Sequence, residues 1–355
     1  MDYSQTQLKK QTQQLRDILE TLPPFVTEFF RGMSDVKTIT TRVAYAYDLR
    51  AFFTFLFEAT PSHSFSATSL DAFTLDDLAK VTTDDIERFL EYMTLYTKTY
   101  THTKEYDKEI TNAENGKSRK LSSIRTLYNY FINKEKLVVN PAQLVNTPRI
   151  KDKHITKLEV NEVALLLDDV EAGSNLTDKQ LDYHSRTRTR DLALLTLLLG
   201  TGIRVSECVG INIPQISFDD NYITITRKGG AQAPIYFGDE VREALLAYLL
   251  ERQDIDAKAG HEDALFLSLQ KTRITPRAVQ NLVKKYAKAS VTTKNISPHK
   301  LRSTYGTNLY RETGDIYLVA TTLGHKDVNT TKKFYASMDE DRKRSAANVV
   351  KLRKN

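Results

Sequence analysis

One cysteine, Cys208, stands in a chain of 355 residues. It has no internal partner for a disulfide, so a reducing cytoplasm is the expected setting. No spacing of Cys and His suggests a structural zinc site. No acidic cluster of the kind that holds Mg²⁺ is apparent either, and neither a metal nor a cofactor is expected. Long apolar runs are also missing. The longest, residues 192–199, is interrupted by Thr196 and is far too short to cross a bilayer, so no membrane insertion is expected. Met1-Asp2-Tyr3-Ser4-Gln5 shows neither the basic start nor the apolar stretch of a secretion signal. No internal repeat or low-complexity segment stands out. With 40% hydrophobic and 27% charged residues, the composition is that of a soluble globular protein long enough for two domains.

The formal net charge of +6 favours a polyanionic partner, and the distribution of charge says more than its sum. Residues 326–355 hold nine Lys/Arg against four Asp/Glu. Arg186, Arg188 and Arg190 form a second basic cluster just before an apolar helix. Each is ordinarily a solvated face. Beside the constellation described below, contact with phosphate becomes the better reading.

Residues 5–20 are Gln-rich and read as a polar helix; aromatic-rich helical patterns follow Pro23-Pro24. Val43, Tyr47, Phe52, Phe53 and Leu56 recur at helical intervals, as do Ile86, Phe89, Leu90 and Met93, with Thr83 or Asp84 as N-cap. A polar segment, 97–119, leads to a helix over 121–133 striped by Leu121, Ile124, Leu127, Tyr128 and Phe131. The first 140 residues read as all-helical. They form an expected helical domain over 1–147, followed by a basic linker, 148–155, and a second domain, 156–355. Thr156-Lys157-Leu158-Glu159 has the form of a capping box opening the next helix. Residues 172–185 read as a polar surface insertion, and 188–199 as a buried helix stopped by Gly200 and Gly202. Residues 221–226 alternate as a half-buried strand, Arg227-Lys228-Gly229-Gly230 supplies a turn, and 233–237 returns as its partner. Helices then resume from 240. The fold class is mainly α, with a small antiparallel sheet in the second domain.

Four local features carry chemistry. In Gly200-Thr201-Gly202-Ile203-Arg204-Val205-Ser206-Glu207, a glycine turn brings Arg204 out of a buried helix, where its planar fork suits two phosphate oxygens. Glu207 either orients Arg204 or simply opens the next helix, and the structural role is favoured. Lys228 sits at the hairpin tip, where a flexible turn can bring an ammonium to a reaction centre as an acid. In Ser297-Pro298-His299-Lys300-Leu301-Arg302, Ser297 suits an N-cap and Pro298 the first helical position. His299 and Arg302 then share one face near a helix N-terminus, a place suited to phosphate. The fourth feature runs from Leu323-Gly324-His325 to Phe334-Tyr335, with Gly324 ending one helix and Asn329 or Thr330 capping the next. Tyr335 is one of 18 tyrosines, and only its neighbours single it out.

Two arginines, two histidines, a lysine and a tyrosine make a phosphoryl-transfer site that needs no metal. A phenol is a poor nucleophile at neutral pH and needs a base or a strongly positive surround. His299 can take its proton; Arg204, Arg302 and His325 can neutralise the phosphorane; and Lys228 can protonate the departing 5′-oxygen.

These four motifs, in this order, resemble the tyrosine recombinases of the phage-integrase family, and the resemblance covers nearly the whole chain. It implies that Arg204 and Arg302 activate the phosphate and that Lys228 is the general acid. It makes His299 the histidine of the His-x-x-Arg motif, His325 a phosphate hydrogen-bonder and Tyr335 the nucleophile. It also implies a 3′-phosphotyrosyl intermediate, exchange through a Holliday junction, and no ATP. Residues 117–131 resemble part of the family's core-binding domain, which with the catalytic domain clamps double-stranded DNA like a letter C. Ala346, Val349, Val350 and Leu352 would pack on a neighbouring protomer in a tetramer on two DNA sites. Within the family the chain resembles the Xer subgroup, which resolves chromosome dimers, and most of all the single-recombinase XerS type. An FtsK-type DNA translocase is a partner implied by that resemblance alone. Two departures are visible: the stretch after Lys228 lacks the basic residues often found there, and the N-terminal part is longer than in paired Xer enzymes. Other readings are a phage or transposon integrase, a type IB topoisomerase and, from a different class, an inactive DNA-binding architectural relative. The complete residue set argues against the last.

Overall fold

The computed structural model describes residues 3–59, 65, 67–100, 106–149, 156–227, 230–291 and 294–325. The chain divides into two compact units, Met1–Asp152 and Lys153–Asn355. Both are mainly helical, and each described sheet is small and antiparallel.

In the first unit, α1 (Tyr3–Leu19) and α2 (Pro24–Gly32) precede the long α3 (Ile39–Ala59). The short α4 (Leu75–Lys80) and α5 (Thr83–Tyr92) follow. The N-cap of α5 is Thr82, one residue before the expected cap, because its hydroxyl accepts from the Asp85 N–H at 3.3 Å while the Asp85 carboxylate accepts from the Thr82 N–H at 2.8 Å. The core is aromatic: Phe52 of α3 meets Phe89 of α5 edge-on at 5.2 Å, and Phe25 meets Phe131 at 5.6 Å. Val43, Phe52, Phe53 and Leu56 are buried as their spacing predicts, but Tyr47 lies at the exposed edge of that stripe, where its hydroxyl accepts from Gln14.

One expectation fails here. The segment after Tyr92 is not a polar coil in an all-helical domain. It forms a hairpin of β1 (Leu95–Tyr100) and β2 (Tyr106–Thr111), with Leu95 opposite Thr111 and Tyr100 opposite Tyr106. Tyr and Thr favour extended backbone, but polar residues on both faces leave no alternation of apolar and polar positions to betray the strands. After the hairpin, α6 (Glu114–Asn133) starts seven residues before its apolar stripe, since its first turns are polar. Leu121, Ile124, Leu127, Tyr128 and Phe131 are all buried.

The second unit is built around α9 (Arg188–Thr201), which packs against α7 (Val160–Ala172), α11 (Asp239–Arg252) and α13 (Pro298–Thr313). Its residues Ala193, Leu194, Leu195, Leu197 and Leu198 are fully buried, which explains a helix that is apolar all round. Helix α7 begins at Val160, later than the expected box at Thr156: the Glu159 N–H donates to the Glu162 carboxylate at 2.7 Å. Ahead of it, the buried Leu158 N–H donates to Thr304 Oγ1 at 2.9 Å, and Glu159 pairs with Arg311, so the start of α7 is tied to α13. The expected surface insertion contains α8 (Asp178–Ser185), and its His184 is buried with Nε2 2.8 Å from the Val170 carbonyl.

Beyond α9 come the six-residue α10 (Val205–Gly210) and a sheet of β3 (Ile216–Ser217), β4 (Tyr222–Thr226) and β5 (Gln232–Tyr236), ordered β3-β4-β5. The chain closes its described part with α12 (Pro276–Ser290), α13 and α14 (Ile316–Leu323). Of the basic cluster before α9, Arg190 is taken up in packing the second unit. Arg190 binds the buried Asp191 and the Leu267 carbonyl, while Arg186 pairs with Asp182. Asp191 is further held by Thr187 and Tyr286, both at 3.0 Å.

Candidate active site

The site is assembled at two helix ends. Helix α9 runs through Gly200, where Val241 of α11 leaves no room for a Cβ, and stops at Thr201. Gly202 takes φ 62° and caps it, its N–H donating to the Leu198 carbonyl at 3.1 Å. The chain then turns through buried Ile203 and delivers Arg204 to the N-cap of α10. Glu207, almost fully buried, accepts the Arg204 backbone N–H at 2.7 Å and its Nη1 at 2.9 Å. Glu207 therefore both opens α10 and orients Arg204, where sequence reasoning favoured the first role alone.

The second end is the C-terminus of α14. Gly324, at φ 62°, donates its N–H to the Thr321 carbonyl, and His325 donates its own to Ala320, both at 2.9 Å. This Schellman geometry places His325 just past the cap and leaves the carbonyls of Thr322, Leu323 and Gly324 for other donors. Arginines from three elements take them. Arg204 Nη2 donates to Gly324 at 3.2 Å, Arg302 Nη2 to Leu323, and Arg227 Nη2 to Thr322 at 3.1 Å. Three cations thus gather where the helix dipole is negative. Arg302, buried on α13, also donates Nη1 to the Gly202 carbonyl at 2.7 Å, which joins the two helix ends directly.

His299 stands in the first turn of α13, with Pro298 at the first helical position. Ser297 occupies the N-cap, though its hydroxyl makes no capping bond. Burial pushes the His299 pKa below its ordinary 6.5, helped by the charges of Arg302, Lys300 and Arg204. His325 is lowered by burial and by Arg302, Arg204 and His299. Both imidazoles are therefore neutral at pH 7, so one nitrogen accepts and the other donates.

Four of the six expected site residues, Arg204, His299, Arg302 and His325, come together in this way. Lys228 and Tyr335 lie outside the described residues, as do Asn329, Thr330 and the apolar C-terminal set Ala346, Val349, Val350 and Leu352. Arg227 was missed: one more basic residue beside a glycine turn carries no signal until α14 is seen next to it. Among the described residues no group of His, Cys, Asp and Glu could hold a metal ion, and no helix is long and apolar enough to cross a membrane.

Residues 158–342 match the model of the phage integrase family. The chain is 33% identical over 337 residues to the tyrosine recombinase XerC of Caldanaerobacter subterraneus subsp. tengcongensis, covering 92% of this chain and 86% of that one. To the tyrosine recombinase XerS of Lactococcus lactis subsp. cremoris it is 25% identical over 352 residues, covering 93% and 96%. It shares its fold with the XerH site-specific recombinase solved on a palindromic difH substrate, with a TM-score of 0.61 at 21% identity over 88% of this chain and 79% of that one.

Proposed function

The chain belongs to the phage integrase family, and from that premise we propose that Tyr335 is its nucleophile, served by Arg204, Lys228, His299, Arg302 and His325. It is a tyrosine recombinase, an enzyme that cleaves and rejoins DNA. His299, neutral at pH 7, takes the phenol proton as the Tyr335 oxygen attacks the scissile phosphorus. Arg204 and Arg302 hold the non-bridging oxygens as charge builds on them, and His325 donates a hydrogen bond to one. The bond from phosphorus to the 5′-oxygen breaks, and Lys228 supplies the proton that leaves a 5′-hydroxyl. The 3′-phosphotyrosyl bond keeps the energy of the broken phosphodiester. A 5′-hydroxyl from a second duplex reverses the step and frees Tyr335, and a second round resolves the Holliday junction.

The observation that carries this reading is the meeting of Arg204 and Arg302 on the consecutive carbonyls of Gly324 and Leu323, immediately before His325. It supports a fixed cationic seat for one phosphate, with spacing set by backbone rather than by flexible side chains. With the likeness to XerC and XerS we propose a chromosomal dif-like site as target, and with it a tetramer on two such sites, an FtsK-type translocase as regulator and a cytoplasmic setting.

The test is a nicked duplex bearing the target site, which traps the covalent adduct when the cleaved end diffuses away. The full-length chain forms the adduct, and Tyr335→Phe binds the duplex without forming it. An adduct that survives this substitution overturns the nucleophile assignment. A protected genomic site inside a mobile element, rather than near the replication terminus, overturns the dimer-resolution reading and leaves the chemistry standing.

A further inference from the structure

We infer that Arg227 is a positioning residue for the general acid, tying the end of β4, next to Lys228 in the chain, to the same helix end that seats the phosphate arginines. This rests on the reading of Lys228 as the acid given above. In the sequence Gly229 and Gly230 follow Lys228 directly, and glycine adds no restraint of its own to a chain. The backbone of Arg227 is nonetheless closed on both sides: its N–H donates to the Ala231 carbonyl at 2.8 Å, and its carbonyl accepts from the Gly230 N–H at 3.0 Å. Its side chain leaves the sheet and reaches α14, with Nη2 3.1 Å from the Thr322 carbonyl and Nη1 3.4 Å from that of Thr321. Arg227 Nε is buried there without a hydrogen-bond partner, which a solvated turn arginine would avoid.

The same guanidinium also packs against Gly324. A Cβ at that position would fall 1.7 Å from Arg227 Nη1 and 2.6 Å from its Cζ. The guanidinium lies against the glycine itself, so a side chain at residue 324 would displace it from this seat. Positive φ alone would also admit asparagine; the docked arginine does not. Arg227 is thus seated beside the carbonyls held by Arg302 and Arg204 and one residue from His325. Lys228 follows Arg227 directly, with consecutive Cα atoms about 3.8 Å apart, so anchoring Arg227 limits the reach of the acid. A planar fork can address two adjacent carbonyls at once, whereas an ammonium is a single point.

The test separates acid positioning from simple stability. In a nicked target duplex the bridging 5′-oxygen is replaced by sulfur, which departs as thiolate and needs no proton, while attack by Tyr335 and the phosphate contacts are unchanged. With the ordinary oxygen substrate, Lys228→Ala slows adduct formation about 10²–10⁴-fold and Arg227→Ala on the order of tenfold to a hundredfold. With sulfur, both return to within a few-fold of the unaltered protein. Arg227→Lys, which keeps the charge, gives the same pattern with a smaller defect and serves if Arg227→Ala melts early. If sulfur restores Lys228→Ala but neither Arg227 variant, Arg227 acts through stability and the positioning role is overturned while the acid stands. If sulfur fails to restore Lys228→Ala, the acid assignment falls and the positioning role with it. Arg227 variants that cleave the oxygen substrate at the normal rate overturn the inference directly.

Discussion

Glu207 holds Arg204 at two points, one carboxylate oxygen on its backbone N–H at 2.7 Å and the other on Nη1 at 2.9 Å. The carboxylate is buried, so both bonds are charge-assisted and poorly replaced by water. Glu207→Gln keeps one acceptor oxygen but turns the other into a donor facing a guanidinium. A hydrogen bond to a charged group contributes about 1.5–3 kcal/mol, which corresponds to roughly 10–100-fold in rate. Adduct formation is expected to fall by that factor, with affinity for the duplex nearly unchanged. Cleavage within twofold of the unaltered protein would mean that Arg204 keeps its aim without this carboxylate.

The two histidines give a pH dependence of definite sign. Burial and the surrounding arginines hold both below the ordinary value of 6.5. If neutral His299 accepts the phenol proton, cleavage rises with pH along an acid limb centred below 6.5. His299→Gln should lower the plateau and move or remove that limb. An unchanged limb in this variant would assign the titration to another group. The same shifts act on stability: below 6.5 the unfolded chain binds protons that the folded site resists, so the second unit loses stability as pH falls from 6.5 through the folded values.

Much of this site could be read from the chain, and the reason is local. Arg204 follows a helix-ending glycine by two residues and His325 by one, and His299 and Arg302 share one turn of α13, so spacing alone placed each pair of features. What escaped was set by partners distant in sequence. Arg227 gains its role from carbonyls 94 and 95 residues away. Arg190 looked available for phosphate until Asp191 and the Leu267 carbonyl claimed it. The β1–β2 hairpin escaped for a different reason, having no apolar face to mark its period.

Gly202 tests how far α9, α13 and α14 depend on one turn. Its φ of 62° is strained for any residue with a Cβ, at about 1 kcal/mol. A Cβ would also come within 2.4 Å of Tyr305 Cδ1 and 3.0 Å of Leu323 Cδ2, an overlap of the kind that costs about 1–3 kcal/mol. Gly202→Ala should therefore destabilise by roughly 2–4 kcal/mol, lowering the melting temperature by several degrees. Cleavage should fall further than the unfolded fraction accounts for, because the Gly202 carbonyl is also the acceptor of Arg302. Thermal melts alongside adduct assays below the melting range distinguish the two losses, and an alanine variant with normal melting and cleavage would show that the turn adapts.

Asp48 offers a test confined to the first unit. It is buried on α3 between Arg119, which it bonds, and Lys120 of α6 at 3.7 Å. Burial outweighs both cations and raises its pKa from 3.8 to about 6. A carboxyl raised in this way binds its proton more tightly folded than unfolded, so its contribution to stability is greatest below 3.8 and is lost as pH rises through 6. A shift of that size corresponds to roughly 3 kcal/mol, or about a hundredfold in the opening equilibrium. Hydrogen exchange of the α3 and α6 amides, corrected for the intrinsic effect of pH, should show protection falling by up to that factor between pH 4 and pH 7. Asp48→Asn cannot titrate and should remove this slope, whatever its effect on absolute stability through the buried Lys120. The same slope in the asparagine variant would place the titrating group elsewhere in the unit.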